Sequence, residues 1–153
     1  MSTVSSKPRP TVSARRVGYL IAVLVNVVGL WVLNVYPGWG TLPFLTADTI
    51  HALGLVSAAM IVNLAANIVF LFRDGPSLKS LGDLVTTAVA LAALLKVWSV
   101  FPFAFGDFFF GYAEQIARAV LVVSIIGTAV AIIVQLVLLV RNLASPRSEI
   151  VPR

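Results

Sequence analysis

A chain of 153 residues with 59% apolar and only 11% charged residues lies far from the balance of a water-soluble domain. The absence of cysteine excludes a disulfide framework, a thiolate nucleophile and a cysteine-based metal site. A net charge of +5 does not read as a nucleic-acid surface, because the bases are distributed by loop rather than gathered along one helical face, so no nucleic-acid partner is expected.

In chain order, Met1 to Thr11 is rich in Ser, Thr and Pro, and residues 1–16 read as a disordered cytoplasmic tail. Four apolar runs follow, at about 17–36, 48–72, 81–103 and 117–140. Each approaches or exceeds the roughly 20 residues a helix needs to cross the hydrocarbon layer. The runs are continuous and rich in Ala and Leu rather than short and alternating, which favours helices over a barrel. The fold class expected is all-α: an integral membrane four-helix bundle spanning 17–140, with 141–153 as a second cytoplasmic tail.

Lys7, Arg9, Arg15 and Arg16 precede the first run, and SARRVGYL at Ser13 to Leu20 has the paired arginines of a twin-arginine signal. The apolar part is longer than the roughly 7 to 15 residues of a signal core, and no small-x-small site follows Tyr36. It is expected to stay as the first span.

The bases set the orientation. Lys7, Arg9, Arg15 and Arg16, then Arg73 and Lys79, then Arg141, Arg147 and Arg153 all fall on one side of the four-span arrangement. The connections Pro37 to Ala47 and Ala104 to Ile116 contain neither Lys nor Arg. Retention of bases in the cytoplasm then places both termini inside, in a multi-pass protein of the plasma membrane, which is the inner membrane of a two-membrane cell.

FPFAFGDFFFGYAEQ, Phe101 to Gln115, becomes the outer connection between spans three and four. Its rings suit the headgroup layer, with Asp107 and Glu114 turned to water, either as an interfacial belt or as a docking surface for a partner. Pro37, Trp39, Pro43 and Phe44 give the first outer connection the same character, so the two connections are expected to form a shared lid.

NIVFLFRD, Asn67 to Asp74, matches QLVLLVRN, Gln135 to Asn142, and at the same offset Ala59 falls on Gly127. With Trp31 and Trp98 near the outer ends of their spans, this pattern suggests two duplicated parallel hairpins. Helix contacts are expected at the small residues Gly54 and Ala58, Ala65 and Ala66, Ala88, Ala92 and Ala93, and Gly127 and Ala131.

Depth sorts the polar residues. Asn26 and Asn63 lie near mid-membrane, with Asn67, Thr86 or Thr87, and Gln135 about one turn nearer the cytoplasm. An amide facing lipid costs a few kcal/mol, so this layer should turn inward, as an interhelical clamp or as the lining of a path for a neutral solute. The outer half holds Asp48, His51, Lys96, Glu114 and Arg118. Lys96, five residues before Phe101, either snorkels about 7.5 Å to the headgroups or pairs with Asp48, Asp107 or Glu114 in an outer polar pocket.

Several chemistries fail on residue counts. One histidine cannot supply a bis-histidine haem site, and no cysteine pair exists for a quinone-linked thiol enzyme. The first span holds Asn26 and Asn34, not the glutamate of the small multidrug transporters, and the aspartates are too scattered for a phosphoalcohol transferase. The layout and LGDLVTTAVALAALLKVW, Leu81 to Trp98, resemble small four-span membrane proteins of actinobacterial type. That resemblance implies no activity. The chain is therefore expected to be a non-catalytic accessory or scaffolding protein without cofactor or metal. Its expected partners are the lipid bilayer and another membrane protein or itself; the alternative is an oligomeric small-solute or ion transport subunit.

Overall fold

The structure is a computed structural model that describes residues 12–73, 75–106 and 111–144. Four helices account for most of it: α1, Val12–Asn34; α2, Thr49–Phe72; α3, Pro76–Val100; and α4, Ala113–Ala144. All four are long and apolar enough to cross a membrane, and the chain is a multi-pass membrane protein with a four-helix bundle fold. Four crossings return the chain to the side it started from. We call that side, with Arg15, Arg16, Arg73, Lys79 and Arg141, the basic end, and the opposite side the aromatic end.

Helix limits follow local chemistry and differ at several points from those drawn on hydropathy. α1 already includes Val12 rather than beginning near Val17, so Arg15 and Arg16 ride on the helix. It stops at Asn34, where Tyr36 N donates to Trp31 O at 3.0 Å and Gly38 takes φ 85°. α3 starts at Pro76 rather than Leu81, since proline suits a first turn in which its missing N–H is not needed. It ends before Phe101, whose φ of 42° lies in the left-handed region and which precedes Pro102, a neighbour that disfavours the helical conformation. α4 begins two residues after Gly111, which takes φ 79°, and runs 32 residues, about 48 Å.

The helices pack in chain order: α1 on α2, α2 on α3, α3 on α4. No comparable packing joins α1 to α4 among the described residues, so the bundle is open on one side. Burial shows the same asymmetry. On α4 the less exposed side chains form one stripe, Ala113, Ala117, Leu121, Thr128, Gln135 and Leu139, spaced by one or two helical turns. α1 likewise has one stripe, through Tyr19, Asn26 and Gly29, whereas α2 and α3 are partnered on two sides.

Close approach uses two glycines. A Cβ on Gly29 would meet the flexible tip of Met60, across α1 and α2. A Cβ on Gly82 would lie 2.5 Å from Phe70 Cζ, across α3 and α2. The small residues singled out from sequence behave differently: Gly54 and Gly127 have nothing within 4 Å of such a Cβ, and Ala65, Ala88 and Ala92 are exposed. Of that set Ala93 is buried.

Candidate functional site: a polar cavity beneath an aromatic lid

At the aromatic end the two connections join. Leu45 and Phe103 form an antiparallel bridge, Thr46 N donates to Pro102 O at 3.0 Å, and Ala104 N donates to Phe44 O at 3.0 Å. These bonds align a continuous stack. Phe44 lies on Phe105 with centroids 6.1 Å apart, Phe105 on Phe103 at 5.8 Å, and Phe103 meets the edge of Phe101 at 5.5 Å. Arg118 closes the row, its guanidinium carbon 3.8 Å from the centroid of Phe101, while its Nη2 donates to Glu114 Oε1 at 2.8 Å. A guanidinium over a ring is attracted to the negative π face, so α4 is tied to Phe101 and, through the stack of rings, to the connection between α1 and α2. Beneath them, Thr49, Ala52 and Pro102 are buried, and the hydroxyls of Thr46 and Thr49 have no partner among the described residues.

Of the six residues grouped as an outer polar pocket, the structure joins Glu114 to Arg118. Asp48 and His51 are exposed at the start of α2. Lys96 is half-buried, with no ion pair to a described carboxylate. Asp107 lies outside the described residues, as do Phe108, Phe109 and Phe110. Lys96 stands 17 residues from Lys79 on α3, about 26 Å, so the two lysines sit near opposite borders of a hydrocarbon layer roughly 30 Å thick.

The amide layer assembles in two halves. In the first, Asn26 Nδ2 donates to Ala22 O at 2.7 Å and approaches Asn63 Oδ1 at 3.5 Å, and Asn67 Nδ2 donates to Asn63 Oδ1 and O. In the second, Gln135 Nε2 donates to Thr87 Oγ1 at 3.1 Å, joining α4 to α3. The repeat offset that aligns Asn67 with Gln135 does not extend to their bonds, since Asn67 bonds within α2.

Between the halves lies a cavity of about 280 Å³ lined by Asn63 from α2, Thr86, Thr87 and Ala90 from α3, and Gly127, Thr128 and Ala131 from α4. Gly127, expected to pack against a helix, instead leaves room here. Thr128 was not apparent from sequence, although its spacing of seven residues from Gln135 puts the two on one face.

At the basic end, Tyr19 and Phe70 are buried with ring centroids 5.6 Å apart, and Lys79 Nζ lies 5.6 Å and 5.2 Å from their centroids. Lys79 also pairs with Asp83 at 3.2 Å. Both side chains of that pair are about two-fifths exposed, so it adds little beside the ring contacts. The Lys79 and Asp83 spacing, one helical turn, was a signal available in the sequence. Among the described residues no group of three or more His, Cys, Asp or Glu is placed to hold a metal ion. No protein family, curated protein or solved structure matches the chain.

Proposed function

We propose that this chain is a non-catalytic accessory or scaffolding protein of the plasma membrane, with both termini in the cytoplasm. In this reading the aromatic lid meets another membrane protein or a second copy of the chain. The observation that carries the proposal is the locked stack from Phe44 to Arg118. A belt of rings that only anchors helices at the headgroups does not require backbone bonds between two connections. A surface that docks a partner benefits from being ordered beforehand, because less side-chain freedom is lost on contact. Phe44 at 38% and Tyr112 at 67% exposure are among the rings presented outward at this end.

Two measurements test the reading. A photoreactive residue replacing Phe44 or Tyr112 is expected to crosslink in intact cells to one discrete protein partner or to a second copy. Crosslinks to lipid alone would reduce the lid to an interfacial belt. Single cysteines at Thr41 and Gly75 test the orientation: Thr41 is expected to react with an impermeant thiol reagent outside intact cells and Gly75 only after lysis.

The cavity between the amide halves favours a second reading, a transport subunit that passes a small neutral solute. Uptake measured in proteoliposomes separates the two, since a scaffold alone moves nothing.

A further inference from the structure

We propose that the cavity between α2, α3 and α4 is a binding site for the hydroxyl group of an uncharged molecule. This goes beyond the accessory reading and does not depend on it.

The argument is a count of protons. Thr86 Oγ1 donates to Gly82 O and Asp83 O, each at 3.0 Å, Thr87 Oγ1 donates to Asp83 O, and Thr128 Oγ1 donates to Ser124 O at 2.6 Å. A threonine has one hydroxyl proton, so all three have committed theirs to their own helices and offer the cavity lone pairs. Gln135 must turn its nitrogen toward Thr87, because that hydroxyl has no proton left to give. Its Oε1 is buried behind the lining, with no partner among the described residues. On the facing wall Asn63 Oδ1 accepts from Asn26 and Asn67, which leaves Asn63 Nδ2 as the donor, with no partner among the described residues.

The lining therefore offers several acceptors, one donor and no charge. Thr87 stands about 16 Å from the start of α3 and about 20 Å from its end, so these groups are deep in the span. An anion would meet lone pairs, and a cation would be stripped of water with no carboxylate to compensate. An ester, ketone or ether brings only acceptors. A hydroxyl fits both walls: its proton goes to a threonine oxygen while its own oxygen accepts from Asn63 Nδ2.

Two sources carry such a group. One is a hydrophobic alcohol entering from the bilayer, where α1 lines no part of the cavity and does not close against α4. The other is a water-soluble polyol. The space also suits several waters, the outcome that opposes the proposal.

The test uses the full chain in lipid nanodiscs and a tetradecanol with a diazirine beside its hydroxyl, compared with the methyl ether of the same probe. After illumination, peptide mass spectrometry is expected to place the alcohol on the α2, α3 and α4 lining and to find the ether there at least about fivefold less. That factor is what one net hydrogen bond confers. Thr86→Val and Thr128→Val keep the branched shape and lose only bonds within their own helices. With both changes in one chain, alcohol labelling is expected to fall about fivefold while ether labelling and melting temperature stay unchanged. Competition by unlabelled tetradecanol but not by excess glycerol assigns the bilayer source, and competition by glycerol assigns the aqueous one. Equal labelling by alcohol and ether, or a double valine variant that labels like the wild type, means that no hydroxyl is recognised in the cavity and overturns the proposal.

Discussion

The two ends of the molecule are both closed by aromatic rings, but by opposite means. At the basic end Tyr19 and Phe70 belong to helices, and Phe70 reaches its place because residue 82 has no side chain. At the aromatic end Phe44, Phe101, Phe103 and Phe105 lie outside the helices and are held by backbone bonds between two connections. The first closure depends on a void matched to a ring, the second on a backbone that sets rings in line. A change of one methyl group should therefore damage the basic end, whereas the aromatic end should fail gradually as rings are removed.

The largest expected effect breaks the basic closure. Gly82→Val places branched carbon where the buried Phe70 ring now stands and should destabilise the folded bundle by about 1 to 3 kcal/mol, the usual cost of overpacking. The diagnostic is a reversal of sign. In a Phe70→Ala background the clash is gone, and Gly82→Ala should gain about 1 kcal/mol from helix propensity. Unfolding in detergent measures both arms, and a Gly82→Ala that behaves alike in the two backgrounds would mean that the ring does not depend on the glycine.

Next in size is the lid. Phe103 touches Phe101 on one side and Phe105 on the other, so Phe103→Ala removes two ring contacts worth about 0.5 to 1.5 kcal/mol each. The loss should be local. Faster amide exchange is expected at Thr46 and Ala104, whose bonds cross between the connections, with no change near Phe70. Equal loosening at both ends would show that the two closures form one cooperative unit.

The two closures also differ in how far the sequence announced them. The rings of the lid cluster in one stretch without bases, and hydropathy with charge placed both connections on one side, so a shared lid was legible. The basic closure joins Tyr19, Phe70, Lys79 and Gly82 from three helices, and no periodicity marks a glycine as the notch for a ring 12 residues earlier. The number of helices and the amide layer were legible for a simple reason: a span has a minimum length, and amides in lipid must turn inward. Which amides meet was not, because that depends on helix rotation, and aliphatic spans exposed nearly all round carry little rotational signal. The same weakness hid the gap between α1 and α4 and directed attention to Gly127 as a packing residue when it lines a cavity.

Between the two ends, the amide halves are expected to contribute less than either closure. Asn63→Leu and Gln135→Leu should each weaken the bundle by about 0.6 kcal/mol and by no more than about 2, as interhelical hydrogen bonds in membranes do. Gln135→Leu should act on the α3 and α4 contact alone, since its bond crosses there, and Asn63→Leu on α1 and α2. A double variant should therefore be additive. Marked coupling between the two would show that the halves communicate across the cavity.

The smallest effect is expected at Lys96, and its sign carries the information. The residue has no described carboxylate within 4.0 Å, and Glu114, one of the acids considered for it, already holds Arg118. About 26 Å of helix separates it from Lys79, which puts its ammonium within reach of the headgroups at the aromatic end. If it reaches them, Lys96→Met removes a cation from a span and should be neutral or slightly stabilising in an unfolding titration, and Lys96→Arg should match the wild type. If a carboxylate depends on it, Lys96→Met strands that acid and lowers stability, and Asp48→Asn or Asp107→Asn in the same chain restores the loss. Rescue by either would draw Lys96 into the aromatic closure as a second cation beside Arg118. A neutral Lys96→Met leaves Arg118 as the cation that ties α4 to the lid, in parallel with Lys79, which joins the rings of α1 and α2 at the basic end.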